Sequence, residues 1–288
     1  MKKKIAILLS GHLRTALRTY KNFYKKFINN LASSGYDCDV YISTWDTNTE
    51  NSSLGGVSAH LTHRELDIKV LKHILNDIYK PKKLEIEPTP INDYEKFARI
   101  SDSLKKKYPN LNKEIKSQKH ARLNSPGHIK GVLSQLYKIK KAYELIDNPD
   151  EYDAIIKYRF DLFIEDVVDW SDEKFIDRIT SAIYLRTRNK IYPDGTTSWG
   201  DTVVMGPPNF MKYFCLSYDY ITDMNKNLQL CKNPAEADIF TITHIVNAVF
   251  DLEDLKDKLR LYTKGEYQPF NSYICRPLEV GPLPREED

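Results

Sequence analysis

The chain has 288 residues, of which 41% are hydrophobic and 29% are charged, with a formal net charge of +3 at pH 7. This composition is typical of a globular protein, and the length favours a single domain that spans residues 1–288. The net charge is too close to zero to indicate nucleic-acid binding by itself. The longest apolar runs, such as Ile5–Leu9, are shorter than a membrane span of about 20 residues or the apolar part of a secretory signal, and the four cysteines form no C-x-x-C pair. We therefore expect a cytoplasmic protein without a structural zinc site or a disulfide framework.

The amino-terminal region has the pattern of a strand, a helix and a second strand. Ile5–Leu9 is a continuous apolar run that ends in Ser-Gly, as in a strand that is buried on both faces. Apolar residues recur at helical spacing from Arg14 to Leu31, and residues 38–44 are rich in β-branched and aromatic side chains. This order predicts a βαβ unit within a parallel sheet.

The rest of the chain continues the alternation of helices and strands. Residues 47–62 are polar and predict a loop, and residues 92–122 predict a helical insertion. The other predicted helices are 66–79, 129–146, 209–224 and 237–250, and the other predicted strands are 83–87, 152–163, 182–185 and 202–205. Together these elements predict an α/β fold in which helices flank a mostly parallel central sheet.

Two polar groups follow the first two predicted strands, at the edge of the sheet where ligands of open α/β folds bind. In the first group, Gly11 lets a ligand approach the backbone, and Arg14 offers a charge that matches phosphate oxygens. In the second, Trp45 can stack on a base, and Asp46 can accept hydrogen bonds from a ribose or a base edge. The alternatives are a tight turn with an exposed Arg14 and a Trp45 that belongs to the core. The candidate donor-binding residues at this edge are Ser10, Gly11, His12, Arg14, Thr44, Trp45 and Asp46.

A third charged group ends the predicted strand 152–163. Because residues i and i+2 of a strand point to the same side, we expect Lys157, Arg159 and Asp161 to share one side. Phe160 is then directed into the core. The alternative is an ion pair between Arg159 and Asp161 that only ties the end of the strand.

Five segments in a fixed order carry a resemblance to a known family. They are Ala6–Thr15, Asp39–Asp46, Gln135–Ala142, Tyr152–Phe163 and Trp199–Thr202. Over residues 5–250 they resemble a loosely defined group of bacterial, phage and large-virus proteins regarded as glycosyltransferases of the GT-A type. The resemblance implies a Rossmann-like nucleotide-diphospho-sugar transferase architecture, with a donor half over residues 1–165 and an acceptor half over residues 166–280.

The resemblance also implies a metal-assisted donor site. GT-A enzymes usually carry Asp-x-Asp at the end of a middle strand, where the carboxylates hold a divalent ion that bridges the donor diphosphate. This chain has Arg159-Phe160-Asp161 at the matching place. We expect Asp161 to hold Mn²⁺ or Mg²⁺, with direct phosphate contact by Arg159 and Lys157 as the alternative.

Two further sets of residues follow from the same resemblance. Gln135 and Lys138 lie three residues apart on one predicted helix face, and the resemblance suggests that they contact the donor; a solvated helix face is the alternative. In inverting GT-A enzymes a carboxylate deprotonates the acceptor hydroxyl. Asp201, which follows Trp199-Gly200, is the first candidate for that base, and Glu236 and Asp238 are the next.

The leading prediction is a glycosyltransferase that uses a nucleotide-sugar donor, with a UDP-linked sugar favoured. The acceptor is a hydroxyl group of either a surface glycan or hydroxymethylated phage DNA, in a bacterial cell or a phage-infected host. The basic stretch 105–119 is compatible with DNA phosphates. The alternatives are a nucleotidyltransferase, which shares the layered scaffold, and a non-catalytic module that binds a sugar or a nucleotide.

Overall fold

A computed structural model describes most of the chain. The described residues are 3–49, 63–65, 67–88, 95–107, 126–165, 177, 179–191, 197–223, 242–262 and 272–274. Within these ranges no helix has both the length and the apolar character that are needed to cross a membrane.

The described segments alternate between strands and helices. The strands are β1 (Lys3–Gly11), β2 (Tyr36–Trp45), β3 (Thr47–Thr49), β4 (His63–Glu65), β5 (Lys83–Glu87), β6 (Ala154–Tyr158), β7 (Leu162–Ile164), β8 (Ile183–Ile191), β9 (Thr197–Gly206), β10 (Leu259–Tyr262) and β11 (Ser272–Ile274). The helices are α1 (Ala16–Phe23), α2 (Asn29–Ser33), α3 (Ile68–Tyr79), α4 (Glu95–Lys107), α5 (Pro126–Glu144), α6 (Pro208–Cys215), α7 (Ser217–Thr222) and α8 (Ile242–Leu252). A π-helical turn, Tyr24–Ile28, joins α1 to α2.

The main sheet has seven strands in the described part of the chain, in the order β10-β8-β9-β6-β1-β2-β5. Strand β9 pairs antiparallel with both of its neighbours, whereas the other pairs are parallel. The run β5-β2-β1-β6 has the 3-2-1-4 order of doubly wound folds, so the strand order reverses between β1 and β6. The predicted α/β fold with a mostly parallel central sheet is confirmed.

The sheet is covered by helices on both faces because β1 is apolar on both sides. Its residues Ala6 and Leu8 pack with α5, α6, α7 and α8 on one face. Its residues Ile5, Ile7 and Leu9 pack with α1 and α3 on the other. Strand β1 is therefore buried on both faces at the centre of a three-layer structure, and its carboxyl end occupies a fixed position.

The predicted strand 152–163 is wrong in one respect, because it is two strands with a turn between them. Strand β6 ends at Tyr158, and β7 leaves the main sheet to pair with β11. Side chains of α1 cause this departure. The hydroxyl of Thr19 donates to the carbonyl of Phe160, and the amide of Asn22 both accepts from and donates to the backbone of Ile164, at 2.8 and 2.9 Å.

The remaining predicted elements are largely confirmed, with local differences. Residues 47–49 of the predicted loop form β3, which pairs with β4. The predicted helix 209–224 is broken at Leu216 into α6 and α7. Helix α4 occupies part of the predicted insertion. Parts of three predicted elements lie outside the described residues, namely 50–62 of the loop, 108–122 of the insertion and 237–241 of the last helix.

Gly206, at the end of β9, has no room for a side chain. A Cβ atom there would lie 2.8 Å from Cγ1 of Ile183 and 3.1 Å from the carbonyl oxygen of Ala182. We expect Gly206→Ala to lower the free energy of unfolding by about 1–3 kcal/mol, since overpacking displaces the neighbouring strand. Gly131 on α5 is the control: among the described residues no atom outside its own turn of helix lies within 4 Å of the position that a Cβ would occupy, and Gly131→Ala should stabilise by about 0.5–1 kcal/mol. Chemical denaturation measures the free energy of unfolding of both variants. Equal changes would contradict the close packing described at Gly206.

Candidate functional site

The loop after β1 has an unusual backbone. Gly11 has a φ of 101° and Arg14 a φ of 48°, both in the left-handed region. A residue other than glycine pays roughly 1–2 kcal/mol for that conformation, and such strain concentrates at functional sites. The backbone N–H of Ala16 donates to the carbonyl of Leu13 at 2.8 Å, so the turn leads directly into α1. The first turn of α1 contains no acidic residue, and its positive end faces the loop.

Asp161 joins this loop to the end of β6. Its carboxylate accepts from Nη1 of Arg14 at 2.9 Å and from Nε and Nη2 of Arg159, both at 2.8 Å. The side chain of Asp161 is 3% exposed. Burial favours the neutral acid, but the charges of Arg159 and then Arg14 outweigh it, so the pKa of Asp161 lies well below its ordinary value. The loops after β1 and β6 therefore meet where the strand order reverses.

The end of β2 is tied to the same edge. The hydroxyl of Thr44 donates to the carbonyl of Gly11 at 2.8 Å, and the N–H of Asp46 donates to the carbonyl of Glu87 at 2.9 Å. The register places Ser10 and Ser43 side by side on β1 and β2. Residues predicted from three separate segments thus lie at one edge of the sheet.

Trp45 belongs to the core beneath this edge. The residue is 4% exposed, and the Nζ atom of Lys138 lies 4.1 Å from the centroid of its ring. The Tyr137 ring is stacked on it at 6.0 Å between centroids, and the His12 ring lies at 6.3 Å. The prediction that Trp45 stacks on a base is wrong for this structure, because other side chains enclose the ring.

Lys138 is also buried, and its ammonium group is held by a carboxylate. Its side chain is 0% exposed, and Nζ donates to Glu87 at 2.5 Å and to Ser43 at 3.3 Å. Burial lowers the pKa of Lys138, although Glu87 acts in the opposite direction. Burial raises the pKa of Glu87, but the hydrogen bond and the charge of Lys138, with smaller contributions from Tyr137 and Lys141, together outweigh it and the pKa is lowered. Lys138 therefore stabilises the ends of β2 and β5, which corrects its predicted role as a direct donor contact.

Lys157 and Gln135 differ in their burial. Lys157 is 1% exposed and lies between Leu8 and Val204 in the sheet register. Its charge acts on Cys215 of α6, where burial raises the thiol pKa and Lys157 opposes that rise. Lys157 is thus in the core below the edge, and the prediction that it shares a side with Asp161 stays a prediction. Gln135 is half-buried on α5, one turn before Lys138.

The predicted catalytic base lies on an irregular part of β9. In the pairing with β8, Val204 is opposite Leu185 and Gly200 is opposite Arg186, so residues 201–203 form a bulge. Bulges are frequent beside active sites, where they redirect side chains. The backbone of Asp201 is in this bulge, but its side chain is not described, and Glu236 and Asp238 lie outside the described residues.

The geometry of Asp161 does not fit a metal ligand. Both carboxylate oxygens already accept from guanidinium groups. Across the described ranges, no three His, Cys, Asp or Glu side chains come together in a way that could hold a metal ion. The prediction that Asp161 is the metal ligand is therefore not supported by its surroundings, while a need for Mn²⁺ or Mg²⁺ stays a prediction.

Sequence reasoning missed Glu87 and Tyr137. Glu87 accepts from both Lys138 and the hydroxyl of Tyr137, the latter at 2.8 Å. Glu87 is the last residue of β5, the third parallel strand at this edge. The same rule that selected the ends of the first two strands would have identified it.

Comparisons with known proteins find similarity only among solved structures. No protein-family model matches the chain, and no curated protein matches it by sequence. The chain is similar to mouse xyloside xylosyltransferase 1 in its apo form, with 10% identity, a TM-score of 0.39, and coverage of 90% of this chain and 85% of that one. It is also similar to core-mannan synthase A from Aspergillus fumigatus in a Mn/GDP form, with 8% identity, a TM-score of 0.48, and coverage of 95% and 74%. Scores this low carry no argument, so the fold rests on the strand order described above.

The ion pair between Lys138 and Glu87 predicts that substitution of its two members destabilises the protein to different degrees. Lys138 is fully buried, whereas the side chain of Glu87 is 27% exposed and can be hydrated. We expect Glu87→Gln to lower the free energy of unfolding by about 3 kcal/mol, because it leaves a buried charge without a counter-ion, and Lys138→Met by about 1 kcal/mol. Lys141→Met is the control, since its half-buried pair with Glu85 at 3.4 Å should contribute less than about 1 kcal/mol. Urea denaturation compares the three variants, and a larger loss for Lys138→Met would contradict the assignment.

Proposed function

We propose that this chain is a glycosyltransferase that moves a sugar from a nucleotide diphosphate donor, with a UDP-linked sugar favoured, to a hydroxyl acceptor. The Arg14–Asp161 contact of 2.9 Å is the observation that carries this proposal. It brings the loops after β1 and β6 together at the reversal of strand order. In doubly wound sheets this crevice is where nucleotides bind.

The donor would lie across the carboxyl ends of β1, β2 and β6. Gly11 supports this position, because among the described residues no atom other than those of Gly11 and its two chain neighbours lies within 4 Å of where its Cβ would be, so a ligand can approach the backbone. Ser10, His12, Thr44, Asp46 and Gln135 are the other proposed donor contacts. Trp45 and Lys138 act from beneath, by holding the end of β2 in place.

The reaction requires charge compensation and a base. The acceptor oxygen forms a bond to the anomeric carbon, the bond from that carbon to the diphosphate oxygen breaks, and its electron pair leaves with the diphosphate. Fixed cations such as Arg14 and Arg159 stabilise that developing negative charge. Asp201 is the proposed base that takes the hydroxyl proton, with Glu236 and Asp238 as further candidates.

The acceptor half, residues 166–280, would supply the second substrate site. A surface glycan and hydroxymethylated phage DNA are the two acceptor classes. Helix α4 ends in Lys105, Lys106 and Lys107, and such a basic end is compatible with phosphate contacts to DNA.

A screen of nucleotide sugars by thermal shift, followed by a turnover assay, tests this function. A donor that binds only the folded state at 100 times its Kd should stabilise it by about 2.7 kcal/mol, and so raise the melting temperature. With an acceptor present, the nucleoside diphosphate should be released in step with the glycosylated product. Asp201→Asn should lower kcat roughly 10²- to 10⁴-fold while the donor-induced shift is kept, because it removes only the base.

Asp153→Asn is the matched control, since Asp153 is an exposed carboxylate at the amino end of β6. This variant should turn over like the unmodified protein. Pyrophosphate release from a nucleoside triphosphate would instead identify a nucleotidyltransferase. Donor binding without turnover on either acceptor class would identify a binding module and contradict the proposal.

A further inference from the structure

Asp161 has the surroundings of a counter-ion that holds two cations. Arg159 binds its two oxygens in the bidentate manner through Nε and Nη2, and Arg14 binds one oxygen from the opposite loop. The carboxylate side chain is 3% exposed, whereas the side chains of Arg14 and Arg159 are 26% and 13% exposed. The anion is therefore beneath, and the cations lie between it and solvent.

A divalent ion on Asp161 would conflict with this arrangement. Metal–oxygen distances are about 2.0–2.6 Å, whereas the guanidinium nitrogens already lie 2.8–2.9 Å from the same oxygens. An ion at that distance would stand directly against two like charges. Either the arginines or the ion must leave, and the buried position of the carboxylate favours keeping the arginines.

We propose that Arg14 and Arg159, held in place by Asp161, bind the donor diphosphate directly, and that Asp161 anchors them instead of ligating a metal. This proposal rests on the proposed function and specifies its donor site. Guanidinium groups match phosphate oxygens in geometry and charge, and they keep their charge at any working pH.

The backbone around Arg14 supports the same role. Arg14, which has a left-handed φ of 48°, lies two residues before the start of α1. The first turn of α1 has no acidic residue, so the positive end of the helix adds to the guanidinium charges. Without Asp161 the two arginines would repel each other, and the binding geometry would have to be organised again with each ligand.

Isothermal titration with UDP and with inorganic pyrophosphate tests the proposal, in EDTA and in Mn²⁺. The unmodified protein should bind both ligands in EDTA, with a Kd that changes less than about tenfold when Mn²⁺ replaces EDTA. Arg14→Lys and Arg159→Lys should each weaken binding roughly 10- to 100-fold in EDTA, because a bidentate charged contact is lost. Arg18→Lys is the control and should bind normally, since Arg18 is an exposed residue of α1, four residues after Arg14.

Asp161→Asn separates the two roles of the carboxylate. If the carboxylate is an anchor, Asp161→Asn should weaken UDP binding in EDTA about as much as the arginine variants do. Circular dichroism checks that the variant is folded. If it does not fold, the two arginine variants decide between the roles. Binding of UDP only with Mn²⁺, together with a Mn²⁺ electron-spin signal that Asp161→Asn abolishes, would overturn the anchor while leaving the glycosyltransferase proposal intact. Absence of UDP and pyrophosphate binding under every condition would overturn both.

Discussion

A buried carboxylate needs cations around it, and this requirement organises the proposed donor edge. Asp161 is 2% exposed in the turn that follows the central strand β6, so it remains charged only if other groups replace the lost water. Arg159 comes from the same turn, but Arg14 comes from a loop 147 residues earlier in the chain. The need to compensate one charge therefore fixes two loops relative to each other, and it does so where the strand order reverses.

The second buried charge acts on the neighbouring strands in a similar way. Lys138 of α5 holds Glu87 at the end of β5, and its ammonium group lies over the ring of Trp45 at the end of β2. Together with the hydrogen bond from Thr44 to Gly11, this contact limits movement of the strand ends. These contacts restrain the strand ends without any ligand, and the proposed stabilisation of developing charge would need such preorganisation.

The sequence predicted the central strands well because their physics is local. Ile5–Leu9 is apolar on both faces, and a strand of that kind can only be buried in a sheet that helices cover. The sequence also predicted that Arg14 and Asp161 lie at one edge of the sheet, because the carboxyl ends of parallel strands lie on the same side. The predictions that were wrong concern features that depend on contacts between residues far apart in the sequence. Side chains of α1, Thr19 and Asn22, end the alternation after β6, and no pattern within 152–163 encodes them.

The roles of Trp45 and Lys138 could not be predicted for the same reason. A tryptophan after a strand is equally suited to a binding site and to a core, and the packing of α5 decides between them. Lysine at helical spacing usually indicates a solvated face, yet Lys138 is buried because Glu87 lies opposite it. Only the tertiary structure supplies that partner.

The most direct measurement is a double-mutant cycle between Arg14 and Asp161 in the free energy of unfolding, with Arg14→Gln, Asp161→Asn and the double variant. If the two loops are joined as described, the coupling energy should be about 1–3 kcal/mol. Single effects that add to within about 0.5 kcal/mol would mean that the two residues do not interact, and would contradict the account.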